Sequence, residues 1–80
     1  MEYEIYNLMI IESDSKTMQE AKDYLYIPGK GLAYDSDKNK VDDNTLNHIR
    51  ECFENENMHS VISERKLDEE TLEKLITSLG

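Results

Sequence analysis

Alternating apolar positions near the start of the chain predict a β-strand over residues 2–11. Its apolar side chains form two sets that point to opposite faces, namely Tyr3, Ile5, Met9 and Ile11 in one set and Tyr6, Leu8 and Ile10 in the other. Both sets are apolar from Leu8 onward, so we expect the C-terminal end of this strand to be covered on both faces. The later segments are amphipathic and need this strand to pack against.

The next segment predicts a helix over residues 13–25. Residues 13–15, with the sequence Ser-Asp-Ser, offer an N-cap. One helical face is formed by the apolar residues Met18, Ala21 and Leu25. The helix must end before Pro28, because a proline disfavours helical backbone at the preceding residue. Pro28 and Gly29 suit the centre of a type II turn, in which Gly29 takes the positive φ.

Residues 31–41 are compatible with two structures. In the first, residues 32–34 form a short strand, residues 35–39 a turn, and residues 40–41 the returning strand of a hairpin. In the second, the whole segment is a long polar loop. The sequence leaves both alternatives open.

A second helix is predicted at roughly residues 45–54, with residues 42–44 as its cap. Leu46, Ile49 and Phe53 share a narrow stripe on this helix, which should be buried. A strand centred on Val61 and Ile62 is then predicted over residues 58–65.

The last helix has the clearest start signal in the chain. Asp68 is its predicted N-cap, and Leu67 and Leu72 have the spacing of a hydrophobic staple. Its apolar face consists of Leu72, Leu75, Ile76 and Leu79, and Gly80 ends it.

Together these elements predict a single small domain over residues 1–80 of the α+β class. We expect a small antiparallel or mixed sheet with two to three helices packed on it, in the order β-α-(β-β)-α-(β)-α. A chain of 80 residues builds only a modest core. Cys52 is the single cysteine, so no disulfide within the chain can add to its stability.

The charge of the chain limits its partners. Eighteen acidic and nine basic side chains give a formal net charge of −9. Phosphate groups would repel such a chain, which argues against direct binding to nucleic acid or to an anionic membrane. A larger protein with a basic surface is the natural partner.

Candidate chemistry is sparse. Asp35, Asp37 and Asn39 are spaced like the opening of a calcium-binding EF-hand loop, with Asp42 or Asp43 as further oxygen ligands. The loop pattern then fails, because Lys40 stands where the EF-hand has glycine. An ordinary polar turn explains the same residues.

His48 and Cys52 lie on the same side of the predicted second helix. They could supply two zinc ligands, or a thiolate with a neighbouring base, but the remaining ligands or catalytic groups are not evident. We therefore predict no catalytic residue, no cofactor and no metal, and expect that the protein is not an enzyme.

The acidic residues are concentrated in the second half of the chain. Residues 42–73 contain ten acidic and three basic side chains and so carry −7 of the formal −9. Acids three or four residues apart on a helix are about 5–6 Å apart, a spacing comparable with that of nucleic-acid phosphates. The predicted partner-binding acids are Asp42, Asp43, Glu51, Glu54, Glu56, Glu69, Glu70 and Glu73.

Three tyrosines flank the Pro28–Gly29 turn and are candidate anchors for a partner: Tyr24, Tyr26 and Tyr34. Tyrosine is enriched in binding surfaces because it offers a large contact area and a hydroxyl group. The alternative is that these rings cover the edge of a small core.

In size, charge and lack of catalytic residues the chain resembles phage-encoded anti-defence proteins, such as anti-CRISPR proteins and inhibitors of DNA-processing enzymes. The resemblance involves no motif, and no functional residue is transferred by it. It implies a small inhibitor that mimics DNA and binds the nucleic-acid-binding surface of a larger protein in the cytoplasm, that of the host cell if phage-encoded. The alternatives are a divalent-metal-responsive regulator and a homo-oligomeric accessory subunit, for example a homodimer held by the last helix.

Overall fold

The protein is built on one antiparallel sheet with a helix on each face. The computed structural model describes residues 2–14, 18–55 and 59–79. Its elements in chain order are β1 (Glu2–Asp14), β2 (Met18–Ile27), a 3-10 turn (Pro28–Lys30), β3 (Leu32–Tyr34), α1 (Asp43–Glu54), β4 (His59–Asp68) and α2 (Glu69–Leu79). No helix in these described ranges is both long and apolar enough to cross a membrane.

β1 lies inside the sheet and pairs with a strand on each side. The four strands have the order β3-β2-β1-β4, and every neighbouring pair is antiparallel. Tyr6 of β1 is opposite Tyr26 of β2 and opposite Glu64 of β4. The pairing with β4 shifts between Asn7 and Leu8, and the residue of β4 left out of the register is Ile62.

Alternation along β1 and β2 divides the apolar side chains between two cores. On the face that we call the α1 face, α1 packs over a core of Leu8, Ile10, Tyr24, Tyr26, Ala33, Ile49 and Cys52. On the opposite face, the α2 face, α2 packs over Ile5, Ile27, Tyr34 and Leu72. Because neighbouring residues of a strand point to opposite sides, one strand supplies both cores.

The predicted fold was wrong in its element order. Residues 18–27 form the strand β2 instead of a helix over residues 13–25, so the described order is β-β-β-α-β-α and α-helices number two. Tyr24 and Tyr26 face the α1 core, whereas Leu25 and Ile27 face the α2 core. This alternation of aromatic and branched residues suits a strand covered on both faces, and pairing with β1 overrides the helical spacing of Met18, Ala21 and Leu25. Ser13 and Asp14 end β1, and Ser15 lies outside the described residues.

Residues 31–41 are closer to the hairpin alternative, but the predicted returning strand over residues 40–41 is reduced to a single bridge. β3 covers Leu32–Tyr34, and Tyr34 forms an isolated bridge with Lys40. The positive φ that the prediction gave to Gly29 belongs to Gly31, whose φ of 63° ends the 3-10 turn.

α2 begins directly after its predicted N-cap Asp68, whereas α1 begins at Asp43, inside the segment predicted as its cap. Asp42 accepts a hydrogen bond of 2.8 Å from the Thr45 backbone, and Asp68 accepts one of 2.8 Å from the Thr71 backbone. Each of these carboxylates satisfies an N–H group that the first turn of a helix leaves without an intrahelical partner. The staple is also present, since Leu67 packs in the same core as Leu72.

The two helices cover different parts of β1. α1 covers the positions of Leu8 and Ile10, whereas α2 covers Ile5 near the start of the strand. The expectation that both faces are covered at the C-terminal end is therefore corrected, because Met9 is only half-buried and Ile11 is 38% exposed on the α2 face.

Replacing Asp68 by alanine should destabilise the protein in a pH-dependent way. Hydrogen bonds from the side chain and backbone of Thr71 hold the pKa of Asp68 below its ordinary 3.8. A pKa lowered by folding stabilises the protein above the unfolded value and loses this effect as the pH falls through the folded value. The stability gap between the wild type and Asp68→Ala in urea denaturation should therefore be full at pH 7 and shrink below pH 3.8. Asp68→Asn, which keeps a capping oxygen without the charge, is the control. A stability difference between the wild type and Asp68→Ala that is the same at pH 7 and at low pH would contradict the expectation.

Truncating Leu72 should be costly, because its side chain is fully buried in the α2 core. Leu72→Ala is expected to lower the free energy of unfolding by about 2–5 kcal/mol. Ile62→Ala is the matched control, since the Ile62 side chain is 59% exposed. Urea denaturation followed by circular dichroism measures both, and equal effects of the two substitutions would contradict the packing of α2 on the sheet.

Candidate functional site

The outer surface of α1 carries three exposed carboxylates, those of Asp43, Glu51 and Glu54. The helix buries its other side, so these groups face away from the sheet along about 16 Å of helix axis. The ion pairs among the described residues join Lys30 and Lys74 to acids of α2, and none of them includes these three carboxylates. Arg50 is the one basic side chain of α1. Asp42 stands at the start of this surface, but its carboxylate is engaged as the N-cap.

The acids of α2 are arranged differently, because each has a lysine beside it. Lys30 lies 3.2 Å from Glu73 and 3.9 Å from Glu69, and Lys74 lies 3.8 Å from Glu70. The hydrogen bond to Glu73 raises the pKa of Lys30, whose ammonium group also lies 4.9 Å from the centroid of the Tyr3 ring. Exposed pairs of this kind add little stability, but they compensate the negative charge locally.

The predicted acids therefore do not form one surface. α1 and α2 lie on opposite faces of the sheet, so the acids of one helix point away from those of the other. The structure brings together Asp42, Asp43, Glu51 and Glu54 on one side and Glu69, Glu70 and Glu73 on the other. Glu56 lies outside the described residues.

The three tyrosines predicted as anchors are core residues. Tyr24, Tyr26 and Tyr34 are only 8%, 3% and 5% exposed. Tyr24 and Tyr26 pack against α1, and Tyr34 packs in the α2 core. The prediction of an exposed tyrosine patch was therefore wrong, and the rings cover the core as the alternative had it. Alternation along β2 and β3 turns these rings inward.

An aromatic cluster joins α1 to the sheet. The ring of Phe53 lies 4.9 Å from that of Tyr6, 5.3 Å from that of Tyr26 and 5.4 Å from that of His59. His59 Nδ1 lies 2.8 Å from the backbone oxygen of Cys52, and since a carbonyl only accepts, this nitrogen donates. The imidazole therefore satisfies a carbonyl at the end of α1 and anchors the start of β4.

The pKa of Tyr6 is strongly perturbed by its surroundings. Its hydroxyl donates a 2.5 Å hydrogen bond to the Glu4 carboxylate. This bond, together with burial and the negative charges of Glu4 and Glu64, raises the pKa of Tyr6 to about 12. A hydroxyl held so firmly in its protonated form serves as a hydrogen-bond donor rather than as a base.

The candidate metal and thiol residues make local contacts within their own segments. Asp35 accepts 2.9 Å hydrogen bonds from the backbones of Asp37 and Asn39, as the side chain of an ordinary polar turn does. Cys52 Sγ lies 3.7 Å from His48 Nε2, and the thiol is buried. Within the described residues, no group of three or more His, Cys, Asp or Glu side chains could hold a metal ion.

Sequence reasoning missed one surface feature, the exposed apolar side chains of Ile11, Val61 and Ile62. The sequence predicted Val61 and Ile62 at the centre of a strand, without indicating that their side chains are exposed. β4 is instead an edge strand, and the register shift leaves Ile62 unpaired. The polar residues around Val61 and Ile62 were the available signal that the middle of this strand is exposed.

Comparisons of the chain with protein-family models, with curated proteins and with solved structures give no match. The surfaces described above therefore carry the functional interpretation.

Removing the charge of Glu4 should return Tyr6 towards ordinary titration. We expect that Glu4→Gln lowers the pKa of Tyr6 from about 12 towards its ordinary 10.0, because the main stabilising acceptor loses its charge. Tyrosinate absorbance, with Tyr6→Phe to identify the Tyr6 signal, measures the change. Glu70→Gln on α2, at the other face of the sheet, is the control. An unchanged pKa of Tyr6 in Glu4→Gln would contradict the assignment of the raised pKa to Glu4.

Proposed function

We propose that this protein is a non-enzymatic interaction module that binds a basic surface of a larger protein through the outer surface of α1. The observation that carries the proposal is the row of exposed carboxylates of Asp43, Glu51 and Glu54, which have no ion-pair partner among the described residues. Free carboxylates can pair with lysine or arginine of a partner without first breaking an internal ion pair.

The net charge supports the same proposal at longer range. A formal charge of −9 on 80 residues attracts a basic partner and speeds its encounter. The net charge alone does not favour one contact surface over another. The ion pairs among the described residues do, because they involve the acids of α2 and not those of α1. The acids of α2 are compensated by Lys30 and Lys74, so α1 offers the stronger local attraction.

The narrower form of the proposal is an inhibitor that occupies a nucleic-acid-binding surface. Its support is the spacing of Glu51 and Glu54, about 5–6 Å for residues three apart on a helix. The division of the acids between two opposite faces limits this phosphate-like row to α1. The partner in this form is a nucleic-acid-binding enzyme whose groove accepts a single acidic helix.

The test compares two variants that lose equal charge on opposite faces. The first is the triple substitution Asp43→Asn, Glu51→Gln and Glu54→Gln on α1, and the matched control is Glu69→Gln, Glu70→Gln and Glu73→Gln on α2. Affinity capture from the source cell, with quantitative mass spectrometry, identifies the basic partner. We expect that the α1 triple weakens its binding by about tenfold or more, and that the α2 triple has a much smaller effect.

Two further measurements complete this test. Binding should weaken at high salt, because exposed charge pairs are screened. Duplex DNA should displace the protein from its partner if the partner surface binds nucleic acid. If DNA does not displace it, only the proposal of an inhibitor on a nucleic-acid-binding surface is contradicted. An equal loss in both triples, or full binding by the α1 triple, would contradict the assignment to α1.

A further inference from the structure

The α2 face of the sheet has an apolar region that α2 does not reach. It contains Met9, Ile11 and Ile62, of which Ile11 is 38% and Ile62 59% exposed. Within the part of the chain that the structure describes, none of the three belongs to either core or packs against one. We call these three residues the Ile62 patch.

A β-bulge accounts for the position of Ile62 in this patch. Asn7 pairs with Ser63, but the next residue, Leu8, pairs with Val61, so that Ile62 is the extra residue of β4. The shift places Ile62 beside Asn7 and Leu25, where the three side chains line one open groove. A bulge interrupts the ladder and redirects a side chain, and bulges are common next to functional sites. Here the residue that it redirects is a large apolar one at the surface.

Carboxylates border the same groove. Asp23 lies directly opposite Met9 in the register of β1 and β2, and its side chain is exposed. Asp35 lines the groove together with Asp23 and Ile62. Two backbone N–H groups fix the Asp35 carboxylate, so the negative charge at this rim is held in place. Ile62 thus connects the apolar patch to a groove that has an acidic border.

We propose that the Ile62 patch is a second docking site, which binds an amphipathic segment of a partner protein whose apolar side chains are flanked by lysine or arginine. The acidic border selects this occupant by charge complementarity. A second copy of the chain is disfavoured, because each copy has a formal net charge of −9 and the two would repel each other. The site is independent of α1, which lies on the opposite face of the sheet.

The test uses a defined probe and the full chain. The probe is a designed helical peptide of about five turns with leucine on one face and lysine on the other. A second peptide, with serine in place of each leucine, has the same charge and no apolar face. In ¹H–¹⁵N spectra we expect the leucine–lysine peptide to shift the amide signals of Met9, Ile11, Asp23 and Ile62, and the serine–lysine peptide to leave them in place.

Two neighbouring substitutions give a matched control. Ile62→Asp places a charge in the patch, whereas Val61→Asp places the same charge on the same strand at the opposite face, since Val61 pairs with Leu8. Both side chains are exposed, so both variants should fold, which circular dichroism checks. We expect Ile62→Asp to weaken binding of the leucine–lysine peptide by about tenfold and Val61→Asp to leave it nearly unchanged.

Each of the following outcomes would contradict the proposed docking site. Peptide-induced shifts confined to Asp43, Glu51 and Glu54 would remove the Ile62 patch and leave the α1 proposal standing. No saturable binding of the leucine–lysine peptide, or equal binding by Ile62→Asp and the wild type, would also remove it. Concentration-dependent dimerisation that Ile62→Asp abolishes would replace the partner segment with a second copy of the chain.

Discussion

The structure depends on the pairing of β1 with a strand on each side. This pairing fixes Leu8 and Ile10 on one face and Ile5 on the other, and each set forms a core with one helix. A chain of this size cannot bury both faces of a long strand completely. α1 and α2 therefore each cover part of one face, and the end of β1 that α2 does not reach keeps Ile11 at the surface.

Local signals predicted the helices, and pairing decided the strands. The caps Asp42 and Asp68 act within three residues of their own positions, so the sequence alone reveals them. β2 is a strand because of hydrogen bonds to β1, and the helical spacing of its apolar residues carries no information about that partner. The bulge at Ile62 is harder still to predict, because it depends on the register between strands about fifty residues apart in the chain.

The charge pattern shows the same limit. The sequence shows that most of the net charge lies in the second half of the chain. It does not show which carboxylates have a lysine or arginine beside them. Lys30 and Glu73 are 43 positions apart in sequence and form a 3.2 Å ion pair. Only the fold brings the turn after β2 against α2. The same fold separates α1 from α2 by a sheet, which divides what the sequence presented as one acidic region.

The edge strand β4 has features that disfavour pairing with a strand of another molecule. A long exposed edge invites pairing with another strand, and proteins prevent this with charged side chains and bulges. β4 has both, since Glu64, Arg65 and Lys66 are consecutive and exposed and Ile62 interrupts the ladder. Backbone pairing along this edge is therefore disfavoured. The two proposed contact surfaces use side chains instead, namely the carboxylates of α1 on one face of the sheet and the Ile62 patch on the other.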